Sequence, residues 1–239
     1  MAIDGPAGAG KSTVARLVAD ALGFLLVDTG ALYRAVALGA SQRGVPWGDG
    51  EALGRYTAEL VATRSLVFQR APDGTVRVCL DGEDVSDAIR APAIALGASQ
   101  VSAHPRVREN LLELQRAAGR DGGVVLEGRD IGTVVFPEAE AKFFLTARPD
   151  IRARRRHEEL LAKAGDDAPA FETTLDEVIR RDEQDRTRAV APLRKADDAL
   201  EVDTSDMTME EVVATLVRYV HGRPAHGRAA QGERLHGSG

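Results

Sequence analysis

Three observations predict an α/β fold built on a parallel sheet. A short apolar segment runs directly into a glycine-rich loop, Asp4-Gly5-Pro6-Ala7-Gly8-Ala9-Gly10-Lys11-Ser12-Thr13. Apolar runs of strand length then alternate with segments of helix length, the pattern of successive βα units. The alternation breaks once, at two short runs flanking Pro72-Asp73-Gly74, a turn sequence suited to antiparallel strands. The architecture expected is a parallel-sheet core flanked by helices, carrying an inserted, partly antiparallel lobe.

In chain order, Met1 to Ile3 reads as the first strand, Lys11 to Leu22 as a helix stopped by Gly23, and Phe24 to Val27 as a buried strand closed by Asp28. Thr29 opens a second helix to about Gln42, with Gly44 as its stop, and Glu51 to Arg64 reads as a third. Ser65 to Arg70 and Thr75 to Leu80 are the hairpin strands, followed by helices near 92–103 and 105–118. Strands resume at Gly123 to Glu127 and at Lys142 to Thr146, and Pro149 suits the first turn of the next helix. Thr174 and Glu177 have capping-box spacing before a helix that runs through Arg188. Ala199 to Asp203 is the last strand and Thr208 to His221 the last helix. The resulting division is a core of 1–44, 122–147 and 189–221, an insert of 45–121, a helical stretch of 148–188, and a polar tail from Gly222 to Gly239 that reads as disordered.

The 239 residues suffice for one α/β core with small lobes. A net charge of −6 argues against a nucleic-acid polymer as the main partner, so any basic site is local. The single Cys79 excludes an internal disulfide and a cysteine zinc cluster, and its apolar, alternating surroundings mark a small core residue. No run approaches the 18 apolar residues of a membrane span, so no membrane partner is expected and the cytoplasm is the default compartment.

From Gly5 to Ser12 the loop fits G-x-x-x-x-G-K-[ST], in which glycines let backbone N–H groups converge on phosphate oxygens. Gly5, Pro6, Ala7, Gly8, Ala9, Gly10, Lys11, Ser12 and Thr13 are therefore the expected ATP-binding residues. Lys11 would reach the β- and γ-phosphates, Ser12 would offer its hydroxyl to Mg²⁺, and the helix after Gly10 would add its positive end. A dinucleotide-binding G-x-G-x-x-G fails, because Thr13 stands where the third glycine would be. A GTPase fails as well, since the only asparagine, Asn110, is followed by leucine and leaves no Asn-Lys-x-Asp guanine reader. Asp28, closing the second strand, suits either a magnesium-side carboxylate acting through a water or the cap of the next helix.

The acceptor is suggested by arginines at loop and helix-end positions: Arg34, Arg108, Arg129, Arg181, Arg186 and Arg188. An acceptor hydroxyl needs a base, whereas a phosphate monoester is already ionised and needs its charge neutralised beside the donor's. By contrast, Arg152, Arg155 and much of the run from Arg154 to His157 read as a solvated helix face.

Several separate stretches resemble one family, the bacterial cytidylate kinases, which transfer the γ-phosphate of ATP to CMP or dCMP. They are the loop itself, Val27 to Arg34, Asp81 to Ser86, Ala98 to Ser102, Glu127 to Pro137 and Arg186 to Leu193, and the likeness covers about 2–221. The resemblance implies a P-loop NTPase fold whose insert of 45–121 binds the monophosphate and whose stretch of 148–188 is a helical lid, with Mg²⁺ accompanying ATP, and a monomer. It further implies that Thr29, Arg34 and Arg129 hold the CMP phosphate, that Ser99, Arg108 and Asp130 read the cytosine edge, and that Arg181 and Asp185 lie near the ribose, with Asp28 also counted among the substrate-binding residues. Arg188 matches a further substrate contact. Lys11, Arg129 and Arg188 are the candidates for the transfer step itself. Another monophosphate kinase, for UMP or AMP, and a catalytically poor nucleotide-binding regulator are the competing readings.

Overall fold

The protein was analysed as a computed structural model that describes residues 1–222, with Lys163 and Asp166 described by backbone alone. The tail expected beyond Gly222 lies outside the described residues. Five strands form one parallel sheet: β1 (Ala2–Asp4), β2 (Leu25–Asp28), β6 (Val124–Glu127), β7 (Lys142–Thr146) and β8 (Leu200–Asp203), in the order β2-β6-β1-β7-β8. The strands are short, but β1 is buried along its whole length, with Ala2 and Ile3 fully inside.

Strand β1 lies at the centre, pairing with β6 on one side and β7 on the other. The chain order reverses there, and the crevice at the carboxyl ends of strands at such a switch point is where open α/β sheets bind ligands. One face of the sheet is covered by α1 (Lys11–Leu22) and α8 (Met209–His221). Val14, Val18 and Leu216 pack there against Phe143 and Leu145. Helix α8 begins with a capping box: Thr208 Oγ1 accepts from the Glu211 N–H while the Glu211 carboxylate accepts from the Thr208 N–H.

A second core gathers α2 (Gly30–Gln42), α3 (Gly50–Ala62), β3 (Leu66–Arg70), β4 (Val76–Leu80), α4 (Pro92–Val101) and α5 (Pro105–Gly119). Strands β3 and β4 pair antiparallel from Leu66 with Leu80 to Arg70 with Val76. Asp73 holds the turn between them by accepting from Thr75 N–H and Oγ1. A two-residue strand β5 (Glu83–Asp84) extends this sheet. Helix α2 buries Leu32, Ala35 and Val36 in this second core, so packing joins it to the insert although the chain leads into it directly from β2. Trp47 and His104 are packing residues: the indole N–H donates to Ala37 O, and the imidazole Nε2 meets Trp47 O.

The lid region consists of α6 (Pro149–Ala164) and α7 (Phe171–Thr187), which pack against each other. Helix α7 begins at Phe171, three residues before the predicted capping box. Thr174 therefore sits inside the helix, where its hydroxyl donates back to Ala170 O. The expected solvated arginine face also requires correction. Arg152 is only 2% exposed, donates to Ala7 O and Ala147 O, and forms a two-pronged bond with Asp182 of α7 at 2.9 and 2.6 Å. Arg155 is also engaged, bonding Thr204 through its hydroxyl and carbonyl.

Candidate active site

The loop after β1 needs glycine on geometric grounds. Gly5, Gly8 and Gly10 have φ of 148, 75 and 82°, and a Cβ at Gly5 would lie 2.0 Å from Leu145 O. The loop hands over to α1, whose N-terminal N–H groups give it a positive end. Lys11, the first residue of α1, is buried and donates to Pro6 O at 2.6 Å. Burial, followed by the nearby Arg129 charge, holds its pKa well below the usual lysine value.

Ser12 Oγ donates to Glu127 Oε2 at 2.9 Å. Glu127 closes β6, and burial, with the Asp28 carboxylate next in weight, raises its pKa to about 7. Asp28 pairs instead with Arg34, and Thr29 holds the cap position of α2 while its hydroxyl donates to Glu127 O at 2.8 Å. Glu127 is absent from the expected site, although an acid closing an apolar strand was visible in the sequence; what the sequence hid is that β6 runs beside β1. A hydroxyl beside a buried carboxylate that forms no close ion pair among the described residues is a donor set suited to a hard divalent ion such as Mg²⁺.

Facing the loop across a cleft of about 330 Å³ is a group of arginines and carboxylates. Arg108 Nη2 donates to Asp130 Oδ2 at 2.5 Å, and Arg188 stands 3.6 Å from both Asp130 Oδ1 and Asp185 Oδ1. Arg129 Nε donates to Asp185 Oδ2 at 2.9 Å. Burial alone would raise the Asp185 pKa, but Arg129 first, then Arg181 and Arg188, leave it below the ordinary value. Arg181 is pushed down to about 10 by burial and then by Arg129. Among the described residues, buried Nε atoms of Arg34, Arg108 and Arg181 lack hydrogen-bond partners. Guanidinium groups gathered at a cleft of this size and crowded by like charge are chemically suited to phosphate oxygens.

The structure thus brings Lys11, Ser12, Asp28, Thr29, Arg34, Arg108, Arg129, Asp130, Arg181, Asp185 and Arg188 to one cleft, together with Ala7, Gly8, Gly10 and Thr13 of the loop. Gly5, Pro6 and Ala9 shape the loop without lining it. Ser99 does not reach this cleft. It lines an adjoining cavity of about 440 Å³ between α4 and the lid helices, where its hydroxyl meets Gln184 Oε1 at 3.2 Å and its carbonyl accepts from Gln184 Nε2 at 3.0 Å.

A family model described as cytidylate kinase matches residues 1–222. The chain belongs to the cytidylate kinase family. A cytidylate kinase of Pelotomaculum thermopropionicum is 53% identical over 220 residues, covering 92% of this chain and 95% of its own. One of Geobacter sulfurreducens is 49% identical over 223 residues, covering 93% of each. A third, of Symbiobacterium thermophilum, is 49% identical over 220 residues, covering 92% of this chain and 94% of its own. The chain is accordingly a kinase, and for a cytidylate kinase the cleft has the right parts: a triphosphate loop on one wall and an anion-binding arginine cluster on the other.

Proposed function

We propose that the protein transfers the γ-phosphate of ATP to CMP or dCMP, giving ADP and CDP or dCDP. One observation carries the reading beyond the family: the phosphate loop and the arginines around Asp130 and Asp185 face each other across a single cleft. ATP lies with its phosphates on the loop residues Gly5 to Thr13, and Lys11 neutralises the γ-phosphate oxygens. Ser12 and Glu127 would hold Mg²⁺, with Asp28 contributing through a water, and the ion when bound supplies charge neutralisation between the β- and γ-phosphates. On the acceptor side Arg34, Arg129 and Thr29 take the CMP phosphate, Arg181 and Asp185 lie by the ribose, and Arg108 with Asp130 meets the cytosine edge. The acceptor oxygen attacks without a base because it is already ionised. Arg129 and Arg188 stabilise the charge that spreads over the transferring group.

All groups assigned to the two ligands come from one chain, which supports a monomer, and small nucleotides as the only ligands support a cytoplasmic enzyme without nucleic-acid or membrane partners. No helix among the described residues is long and apolar enough to cross a membrane. The test is ADP release measured with CMP, dCMP, UMP, AMP and GMP in turn. Fast turnover confined to CMP and dCMP is expected, and preference for any other monophosphate would overturn the reading.

A further inference from the structure

Asp4 is the last residue of β1 and stands immediately before the phosphate loop. Its carboxylate is buried, yet among the described residues it forms no ion pair within bonding distance. Instead its two oxygens accept from the backbone N–H groups of Ile131 and Gly132, at 2.8 and 2.7 Å. Those residues open a five-residue π-helical turn, Ile131–Val135, that follows Arg129 and Asp130. The turn satisfies its later donors itself, with Val134 and Val135 N–H reaching Asp130 O and Phe136 N–H reaching Ile131 O. Its first two N–H groups have no partner within the turn, and buried backbone donors need one.

The other end of the same stretch is held by the same strand, because Gly128 N–H donates to Ile3 O at 3.0 Å. Strand β1 therefore grips residues 128 and 131–132, and between the two grips stand Arg129 and Asp130, whose side chains line the cleft. Burial raises the Asp4 pKa to about 6, and the two N–H bonds pull the other way, so the ionised form is held at a cost that an apolar residue would avoid.

We infer that Asp4 is a positioning residue for the acceptor half of the site: its carboxylate clamps the turn after Asp130, fixing Arg129 and Asp130 relative to the strand that feeds the phosphate loop. The inference rests on the reading of Arg129 and Asp130 as acceptor-side groups. Asp4→Asn keeps the shape but sets an amide N–H₂ against one of the two backbone donors. Asp4→Ser, which removes the charge and shortens the side chain so that it no longer spans both backbone donors, serves if Asp4→Asn does not fold.

Both variants, as full chains, are to be assayed for kcat and for the KM of CMP and of ATP, alongside melting temperature. The clamp predicts a rise in KM for CMP of about tenfold or more with KM for ATP held within about twofold, since a displacement of an ångström or so at a positioning group suffices for losses of that order. A lowered melting temperature with both KM values unchanged, or equal rises for both substrates, overturns it. A wild type that does not turn over CMP overturns the underlying functional reading as well. A wild type that does, with both variants matching it, overturns the clamp alone.

Discussion

Arg129 and Asp185, 56 residues apart, meet through a 2.9 Å bond between Nε and Oδ2 that ties the turn after β6 to the end of α7. The bond uses only one edge of the guanidinium and leaves Nη2 for an oxyanion, so Asp185 acts as an aiming device for Arg129 as well as a ribose contact. Asp185→Asn is expected to lower kcat/KM for CMP by about 10- to 100-fold, the range for loosening one charge-assisted contact in a closed site. It also carries a pH signature. Because the folded pKa lies below the ordinary 3.8, the carboxylate contributes stability that is complete above that value and lost as pH falls through the lowered one. Melting temperatures measured from pH 6 to pH 2 should converge between wild type and variant at the acid end, and a constant gap would show that the pairing contributes nothing electrostatic.

Lys11 donates to Pro6 O and its charge is disfavoured by burial, so a triphosphate would offer it an anionic acceptor in place of a neutral carbonyl. Lys11→Ala should reduce kcat/KM by roughly 10²-fold or more, because a charge aimed at a transferring phosphoryl in a water-excluded site is worth several kcal/mol. A folded variant with near wild-type turnover would remove the phosphate-loop assignment.

The Arg152–Asp182 pair is expected to matter for stability first. Removing one partner strands a buried charge, at a cost of about 3–5 kcal/mol. Asp182→Ala should therefore lower the melting temperature by about 10 °C, given roughly 2–4 °C per kcal/mol for a chain of this size. Since Arg152 also donates to Ala7 O, KM for ATP should rise as well; a melting point within about 2 °C of wild type would mean the site relaxes around the loss.

Much of this site was legible in the sequence because it is local: the phosphate loop, Arg34 one turn into α2, and Arg129-Asp130 after an apolar strand each announce themselves within ten residues. What escaped was long-range. Arg152 looked solvated because its partners, Asp182 and Ala7, lie 30 and 145 residues away. Glu127 looked like an ordinary strand end until β6 was seen beside β1, and the hydrogen bond from the Ser99 hydroxyl to Gln184 of α7, 85 residues on, has no local signal. Thr174 matched a capping spacing, but the helix has already begun at Phe171, and spacing alone does not decide which turn comes first.

Glu127→Gln tests the proposed metal side. The amide can still accept from Ser12 Oγ, so the loop should stay in place while the negative charge is lost. The Mg²⁺ concentration giving half-maximal rate is expected to rise by about tenfold, in line with the loss of one supporting group at a metal site. An unchanged Mg²⁺ response would shift the role to Asp28.

The last prediction concerns the base. Cytosine presents an N4 amino donor beside an N3 acceptor, and uracil presents an O4 acceptor beside an N3–H donor, so a reader has to reverse its pattern between them. Asp130 is buried and already shares Oδ2 with Arg108, while its Oδ1 faces Arg188 at a looser 3.6 Å and is the atom with capacity to accept from N4. The unpartnered Nε of Arg108 marks that guanidinium as a donor for N3 or O2. With UMP the carboxylate would oppose O4, acceptor against acceptor, and an unmet polar group in such a pocket costs roughly 1–3 kcal/mol. Asp130→Asn can donate to O4 or accept from N4, but it also weakens the hold on Arg108 and Arg188. The ratio of kcat/KM for CMP over UMP should therefore narrow by about tenfold or more, mainly through loss on CMP. Wild-type and variant ratios measured side by side decide it. If the ratio were unchanged in a folded variant, Asp130 would serve to orient Arg108 and Arg188, and discrimination would have to come from another group on the acceptor wall.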